Sequence, residues 1–204
     1  MIDKLKRIAE YFPYCLTIVD MESAGRLCVF ANTKFLENTG YQAEEAIGRN
    51  LSYLQGELTS EETVKFMRKC FDEGSCCIQD LVNYKKDGTP FLNRLLMLPF
   101  KTPGEKLFYI GFQNDITEKK GLSQNNASLA KVNDGEIKHM VNNPLSIILG
   151  GMTMTLKQSH NEVEIAKTAK SLSSAFERIN NYALKIENVS SFQNFDPKKL
   201  GIMK

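Results

Sequence analysis

Apolar residues in the first 117 positions come in short runs that alternate with polar ones and are broken by turn-forming residues. The runs CLTIVD (15–20), RLCVFAN (26–32), CIQDLVNYKKDGTPFLNRLLMLPF (77–100), itself two alternating runs about a turn, and KLFYIGFQNDIT (106–117) predict five strands. Asp87-Gly88 marks a hairpin between the third and fourth runs, and Thr102-Pro103-Gly104 marks a turn before the fifth. Residues 33–72 read as short helices. The pattern is that of a compact α+β domain over 1–117.

Past residue 117 the period becomes helical. Ile165, Ala169, Leu172, Phe176, Ile179, Ala183 and Ile186 follow one another at alternating spacings of four and three, a heptad seam that needs a partner helix. Ile137, Val141, Leu145, Ile148 and Met152 form a second stripe, and Gln158–Asn161 is the expected turn, with Asn161 as N-cap and Glu164 three residues on. Two amphipathic helices cannot close a core, whereas hairpins from two chains make a four-helix bundle, so a homodimer is expected. The alternative is a hairpin that folds back on its own sheet domain. The intervening 118–136 is polar, with Gly121 and Asp134-Gly135, and serves either as a signalling helix or as a flexible joint. The expected organisation is therefore 1–117, a linker at 118–136, and a helical hairpin over 137–204.

Composition narrows the class without naming a chemistry. With 42% hydrophobic and 25% charged residues, the chain of 204 residues has enough apolar material for a core and is not of disordered type. A net charge of +2 argues against non-specific nucleic-acid binding. No apolar stretch is long enough for a membrane span, and MIDKLKRIAEYF is charged and amphipathic, unlike a signal peptide. Five cysteines without a CxxC pair, and only two histidines, make a zinc site improbable and suit reduced thiols in the cytoplasm.

Three separated segments, GRNLSYLQG (48–56), NYKKDGTPFLN (83–93) and GFQNDIT (111–117), closely resemble the flavin-binding segments of LOV (light, oxygen, voltage) photoreceptors, a branch of the PAS domains. The resemblance covers the first half of the chain and implies an antiparallel five-stranded sheet with small helices. It also implies a bound FMN, with riboflavin or FAD as alternatives. A flavin's pyrimidine edge alternates carbonyls with an N–H, and carboxamides carry both a donor and an acceptor. The family places them at five positions, which here are Asn50, Gln55, Asn83, Asn93 and Gln113; the family's counterpart of Gln113 faces the ring's reducible nitrogen. Arg68 matches one of two family arginines that grip the flavin phosphate. Two positions depart from the pattern. Leu51 stands where the family has the cysteine that bonds covalently to the flavin, so that bond cannot form there. Ser52 stands where the family has the other phosphate arginine, with Lys65 a possible compensation. The resemblance then implies sensing by flavin photoreduction, with Tyr53, Tyr84 and Tyr109 as electron donors, or an inert PAS scaffold.

EIKHMVNNPLSIILGG (136–151) resembles the dimerisation and phosphotransfer region of sensor histidine kinases, with His139 at the phosphoacceptor position and Asn143 where the family aligns a water for dephosphorylation. At about 100° per residue His139 lies on the side opposite the apolar stripe, facing outward. Met140 replaces the acid that helps deprotonate the histidine. No nucleotide-binding glycine motif is present, so autokinase activity is not expected. The implied partner is a response-regulator receiver domain or a histidine kinase, and the implied roles are phosphatase, phosphorelay carrier or adaptor.

Overall fold

The computed structural model describes residues 2–101, 104, 106–117 and 174. Residue 174 apart, the linker at 118–136 and the hairpin over 137–204 with its seam and dimeric bundle, including His139 and Asn143, lie outside the described residues. The chain divides into two compact units, Tyr14–Asn126 on the one hand and Met1–Pro13 with Ala127–Lys204 on the other.

Helix α1 (Ile2–Glu10) belongs to the second of these units. Asp3 in its first turn and Arg7 in its last complement the helix dipole. Leu5, Ile8, Ala9 and Phe12 follow the i, i+3, i+4, i+7 spacing of one helical face and are almost completely buried.

The other unit is built on five strands: β1 (Cys15–Asp20), β2 (Leu27–Ala31), β3 (Cys77–Tyr84), β4 (Pro90–Lys101) and β5 (Leu107–Asp115). They form one sheet in the order β2-β1-β5-β4-β3, and every neighbouring pair is antiparallel. All five predicted strands are present, and the helices predicted for 33–72 are α2 (Thr33–Thr39), α3 (Ala43–Ala46), a short 3-10 helix (Leu51–Leu54) and α4 (Glu61–Asp72). Local chemistry fixes their ends. The buried Asn32 caps α2 by accepting from Phe35 N at 3.0 Å, and its side chain also accepts from Leu16 N at 2.9 Å, tying the helix start to β1. Gly40 closes α2 at φ +76°, a left-handed conformation that suits glycine. Ser60 caps α4, whose first turn holds Glu61 and Glu62. The predicted hairpin closes through Lys85 N to Thr89 O at 2.9 Å, with Gly88 at φ +85°.

Register decides which residues share a face. Thr17 pairs with Gly111, Leu95 with Gln113 and Leu81 with Asn93. Because side chains alternate along a strand, Thr17, Val19, Leu81, Asn83, Asn93, Leu95, Met97 and Gln113 lie on one face. Leu16, Ile18, Leu96, Leu98, Ile110 and Phe112 lie on the other and are also buried. The second face includes Arg94, 2% exposed, which donates to Asp80 directly across the ladder at 2.7 and 2.8 Å. On the first face, α4 packs through Met67 and Cys70 against Cys77, Leu81, Leu95, Met97 and Tyr109. A second cluster joins Cys28 and Ala31 of β2 to Phe35, Ala46 and Leu54.

Candidate functional site

Between the first sheet face, α4 and the 3-10 helix lies a cavity of about 220 Å³. Its floor is Thr17, Val19, Leu81, Asn83, Leu95, Met97 and Gln113, and its far wall is Val64, Met67, Arg68 and Phe71 of α4. Asn50, Leu51, Ser52, Leu54 and Gln55 close a third side. Of the residues singled out in the sequence, Asn50, Leu51, Gln55, Arg68, Asn83 and Gln113 line this cavity together. Asn93 is not on the lining but lies between Asn83 and Gln113 on the same sheet face, bonded to both.

A ladder of carboxamides runs along the floor. Asn93 donates through Nδ2 to Asn83 Oδ1 at 2.9 Å and to Gln113 Oε1 at 3.0 Å, linking β3, β4 and β5. Asn83 donates in turn to Leu54 O at 3.2 Å, and Gln113 Nε2 to Thr17 Oγ1 at 3.3 Å. These groups are buried, and each bond leaves its partner's orientation fixed. One atom is left over: Asn93 Oδ1 is buried and has no hydrogen-bond partner among the described residues. A buried acceptor without a donor costs roughly 1–3 kcal/mol. A ring N–H from a planar heterocycle is a donor that would relieve it. This open acceptor, flanked by two further carboxamides, therefore fits the edge of a flavin.

Asn50 has a second task besides facing the cavity. Its Oδ1 accepts from Ser52 N at 2.9 Å, capping the 3-10 helix, while Nδ2 donates to Gly25 O and, at 3.4 Å, to Arg26 O. It thereby fastens the β1–β2 connection to the cavity's third side. Gly56, just beyond, packs against the Tyr84 ring, with no space for a side chain.

No cysteine lines the cavity. Leu51 occupies its third side and packs against the β2 cluster. Cys70 and Cys77 are buried in the same apolar cluster as Met67, Leu81, Leu95 and Met97. A hydrogen bond from the Cys77 thiol draws Cys70 down to about 7, and the same bond and burial push Cys77 up. Burial pushes Cys15 up to about 12, which leaves it an unreactive thiol at neutral pH.

The tyrosines considered as electron donors are close by but do not line the cavity. Tyr109, raised by burial, donates from its hydroxyl to Cys70 O at 3.1 Å and Ser75 O at 2.8 Å. Tyr53 is raised by burial and stacks edge-on against Tyr41 at 4.7 Å, with the Arg49 guanidinium 4.4 Å over its ring. The Tyr84 hydroxyl accepts from Leu58 N at 2.9 Å. Lys65 faces away as well: it is 72% exposed and lies 3.5 Å from Glu61. The cation that joins Arg68 at the rim is Arg26, the first residue of the run RLCVFAN that predicts a strand. It lies just before β2, and only the neighbouring Gly25 hinted that the chain turns there.

The PAS domain family profile matches residues 13–118. A blue-light photoreceptor of Listeria monocytogenes is 41% identical over 100 residues, 49% of this chain and 40% of that protein. Blue-light-activated histidine kinase 2 of Erythrobacter litoralis is 30% identical over 148 residues, 72% of this chain and 42% of that protein. The chain thus spans about two fifths of the length of these curated relatives. Among solved structures, the LOV domain of the Erythrobacter litoralis EL346 blue-light activated histidine kinase is similar, with a TM-score of 0.50 and 30% identity over 52% of this chain and 98% of that one.

Proposed function

This chain belongs to the PAS domain family, and from that premise we propose that it is a blue-light or redox sensor that binds a flavin without covalent attachment. The observation that carries the reading is the carboxamide ladder Asn83–Asn93–Gln113 beside a thiol-free cavity, with Asn93 Oδ1 left as a buried acceptor. The likeness to blue-light photoreceptors supports a flavin as the ligand. FMN is the favoured form, with its ring edge toward Asn83, Asn93 and Gln113, and Asn50 and Gln55 at the third side. When bound, a flavin supplies a chromophore and a reversible electron acceptor.

The protein's residues then decide the output. Leu51 offers no nucleophile, so the chemistry left is electron transfer, and Tyr109 is the tyrosine most closely packed against the cavity floor. Gln113 is the responding group. Its Oε1 accepts from Asn93 and its Nε2 donates to Thr17, so a changed proton count beside it favours the opposite amide orientation. That rotation exchanges the bonds linking β5 to β4 and β1, which carries the change into the sheet.

The second half is proposed as a histidine-kinase-like hairpin over 137–204 joined by 118–136, dimeric, cytoplasmic, and docking a response-regulator receiver domain. Its support is the 148-residue likeness to a histidine kinase, longer than the 136 residues of 1–136 and therefore extending past the linker. His139 is the proposed phosphoacceptor and Asn143 the proposed dephosphorylating residue.

Absorption spectra of the purified chain reconstituted with FMN, in darkness and under blue light with a mild reductant, test the sensor. A flavin band that bleaches only with the electron donor is expected. A protein that takes up no flavin contradicts the reading, and one that binds flavin but never bleaches removes light sensing from it. Phosphoryl transfer from a phosphorylated receiver to the wild-type chain, lost in His139→Ala, tests the hairpin. Transfer unaffected by that substitution would assign the chain an adaptor role instead.

A further inference from the structure

We propose that Arg26 is a phosphate-binding residue at the rim of this cavity, acting with Arg68 where Ser52 leaves one cation too few, and that it thereby sets the chain's preference for FMN over riboflavin. The proposal rests on the flavin reading above.

Three observations converge on Arg26. First, it lines the cavity beside Ser52, Arg68 and Phe71. Second, its guanidinium donates to Asp72 at 2.6 Å, although both side chains are well exposed, at 38% and 64%. Asp72 lies four residues after Arg68 on α4, so the two share one face of the helix. The ion pair therefore draws the Arg26 guanidinium across the cavity mouth to the side of α4 that carries Arg68. Among the described residues Arg68 has neither an ion pair nor a hydrogen bond from its side chain, so the rim holds one free guanidinium and one held by a carboxylate.

Third, the backbone holds Arg26 in place at a conformational cost. Its φ is +55°, the only non-glycine left-handed residue among those described. Glycine would suit that conformation better, so a side chain kept there has work to do. The turn is fixed on both sides: Arg26 N donates to Ser23 O at 2.9 Å, Leu27 N donates to Ser23 Oγ at 2.8 Å, and Asn50 takes the Gly25 and Arg26 carbonyls. A guanidinium on so rigid a support needs little ordering when an anion arrives.

Asp72 then acts as a resident anion. A phosphate, with three acceptor oxygens and up to two charges, outcompetes a single exposed carboxylate for a guanidinium. The exchange Arg26–Asp72 to Arg26–phosphate makes or breaks no covalent bond. It leaves the ring-binding floor untouched.

The test is a fluorescence titration of the full chain, stripped of flavin, with FMN and separately with riboflavin. Wild type should prefer FMN by at least tenfold. Arg26→Gln should weaken FMN about tenfold or more and leave riboflavin unchanged, since a charge-assisted bond is lost only for the phosphate form. Asp72→Asn should tighten FMN several-fold, again with riboflavin unchanged. Arg26→Gly, which relaxes the backbone, should fold at least as well as wild type yet lose the same FMN preference. An Arg26→Gln protein with the wild-type ratio of FMN to riboflavin affinity overturns the proposal, as does one in which both flavins weaken equally, which would mark a structural role. If wild type binds neither flavin, the flavin reading itself falls.

Discussion

The two ends of the cavity are built on different principles. At the inner end Asn83, Asn93 and Gln113 sit on three adjacent strands, buried, with distances of 2.9 and 3.0 Å set by sheet register. At the outer end Arg26 comes from a turn and Arg68 from a helix; only Arg26 is held by the exposed Asp72, and it is itself the one left-handed non-glycine residue among those described. A polar group in the inner end is expensive to leave unpaired, because water cannot replace its partner. One at the rim is cheap to unpair and is therefore free to exchange partners. Recognition of the ring is thus rigid, and recognition of the charged tail is adjustable.

The largest expected effect comes from breaking the inner end. Asn93→Leu takes both donors from Asn83 Oδ1 and Gln113 Oε1, and should cost about 3 kcal/mol in urea unfolding together with flavin uptake. Next is Gly111→Ala. An added Cβ there would stand 2.8 Å from Thr17 Oγ1 and 2.9 Å from Met97 Sδ, both on the cavity floor. A loss of about 1–2 kcal/mol and a weaker flavin complex are expected, measured by thermal melts with and without FMN.

Asp20, at the start of the turn that carries Arg26, gives a pH-dependent contrast. Burial pushes its carboxyl up, but Lys106 at 2.7 Å and the Glu22 and Ser23 amides outweigh this and hold it below its ordinary value. A carboxyl lowered in the folded state stabilises above its unfolded value and loses that contribution as pH falls through the folded one. Stability should therefore fall on acidification below about pH 4, and Asp20→Asn should remove that part of the slope while costing about 1 kcal/mol at neutral pH. The smallest effect belongs to the rim: Asp72→Asn should change flavin-free stability by less than about 1 kcal/mol, since the pair is exposed. A rim substitution as costly as Asn93→Leu would erase the distinction between the two ends.

The same contrast explains what could be read from the sequence. Strands and their hairpin were legible because alternation and Asp87-Gly88 are local signals, and the carboxamides at 83, 93 and 113 were legible only through the family resemblance, since their common face depends on register. Their mutual bonding was not legible, because it depends on register between strands distant in sequence. Asn50 was foreseen at the cavity, but its second role, holding the carbonyls of Gly25 and Arg26, depends on a loop 25 residues away. Arg26 was missed altogether. Whether a residue beside a strand points along it or into a cavity turns on a single φ angle, and composition carries no trace of that. Lys65 and the three tyrosines show the converse, since proximity in a motif did not place them on the lining.

The most direct test of the central claim, a flavin pocket whose chemistry is set by Leu51, compares wild type with Leu51→Cys, both loaded with FMN and illuminated identically. Wild type should bleach only when an electron donor is supplied. Leu51→Cys, with a thiol on the cavity wall, should bleach without a donor and recover in the dark. Donor-free, dark-reversible bleaching of the wild type would contradict the account, as would a flavin-loaded Leu51→Cys protein that behaves no differently from its parent.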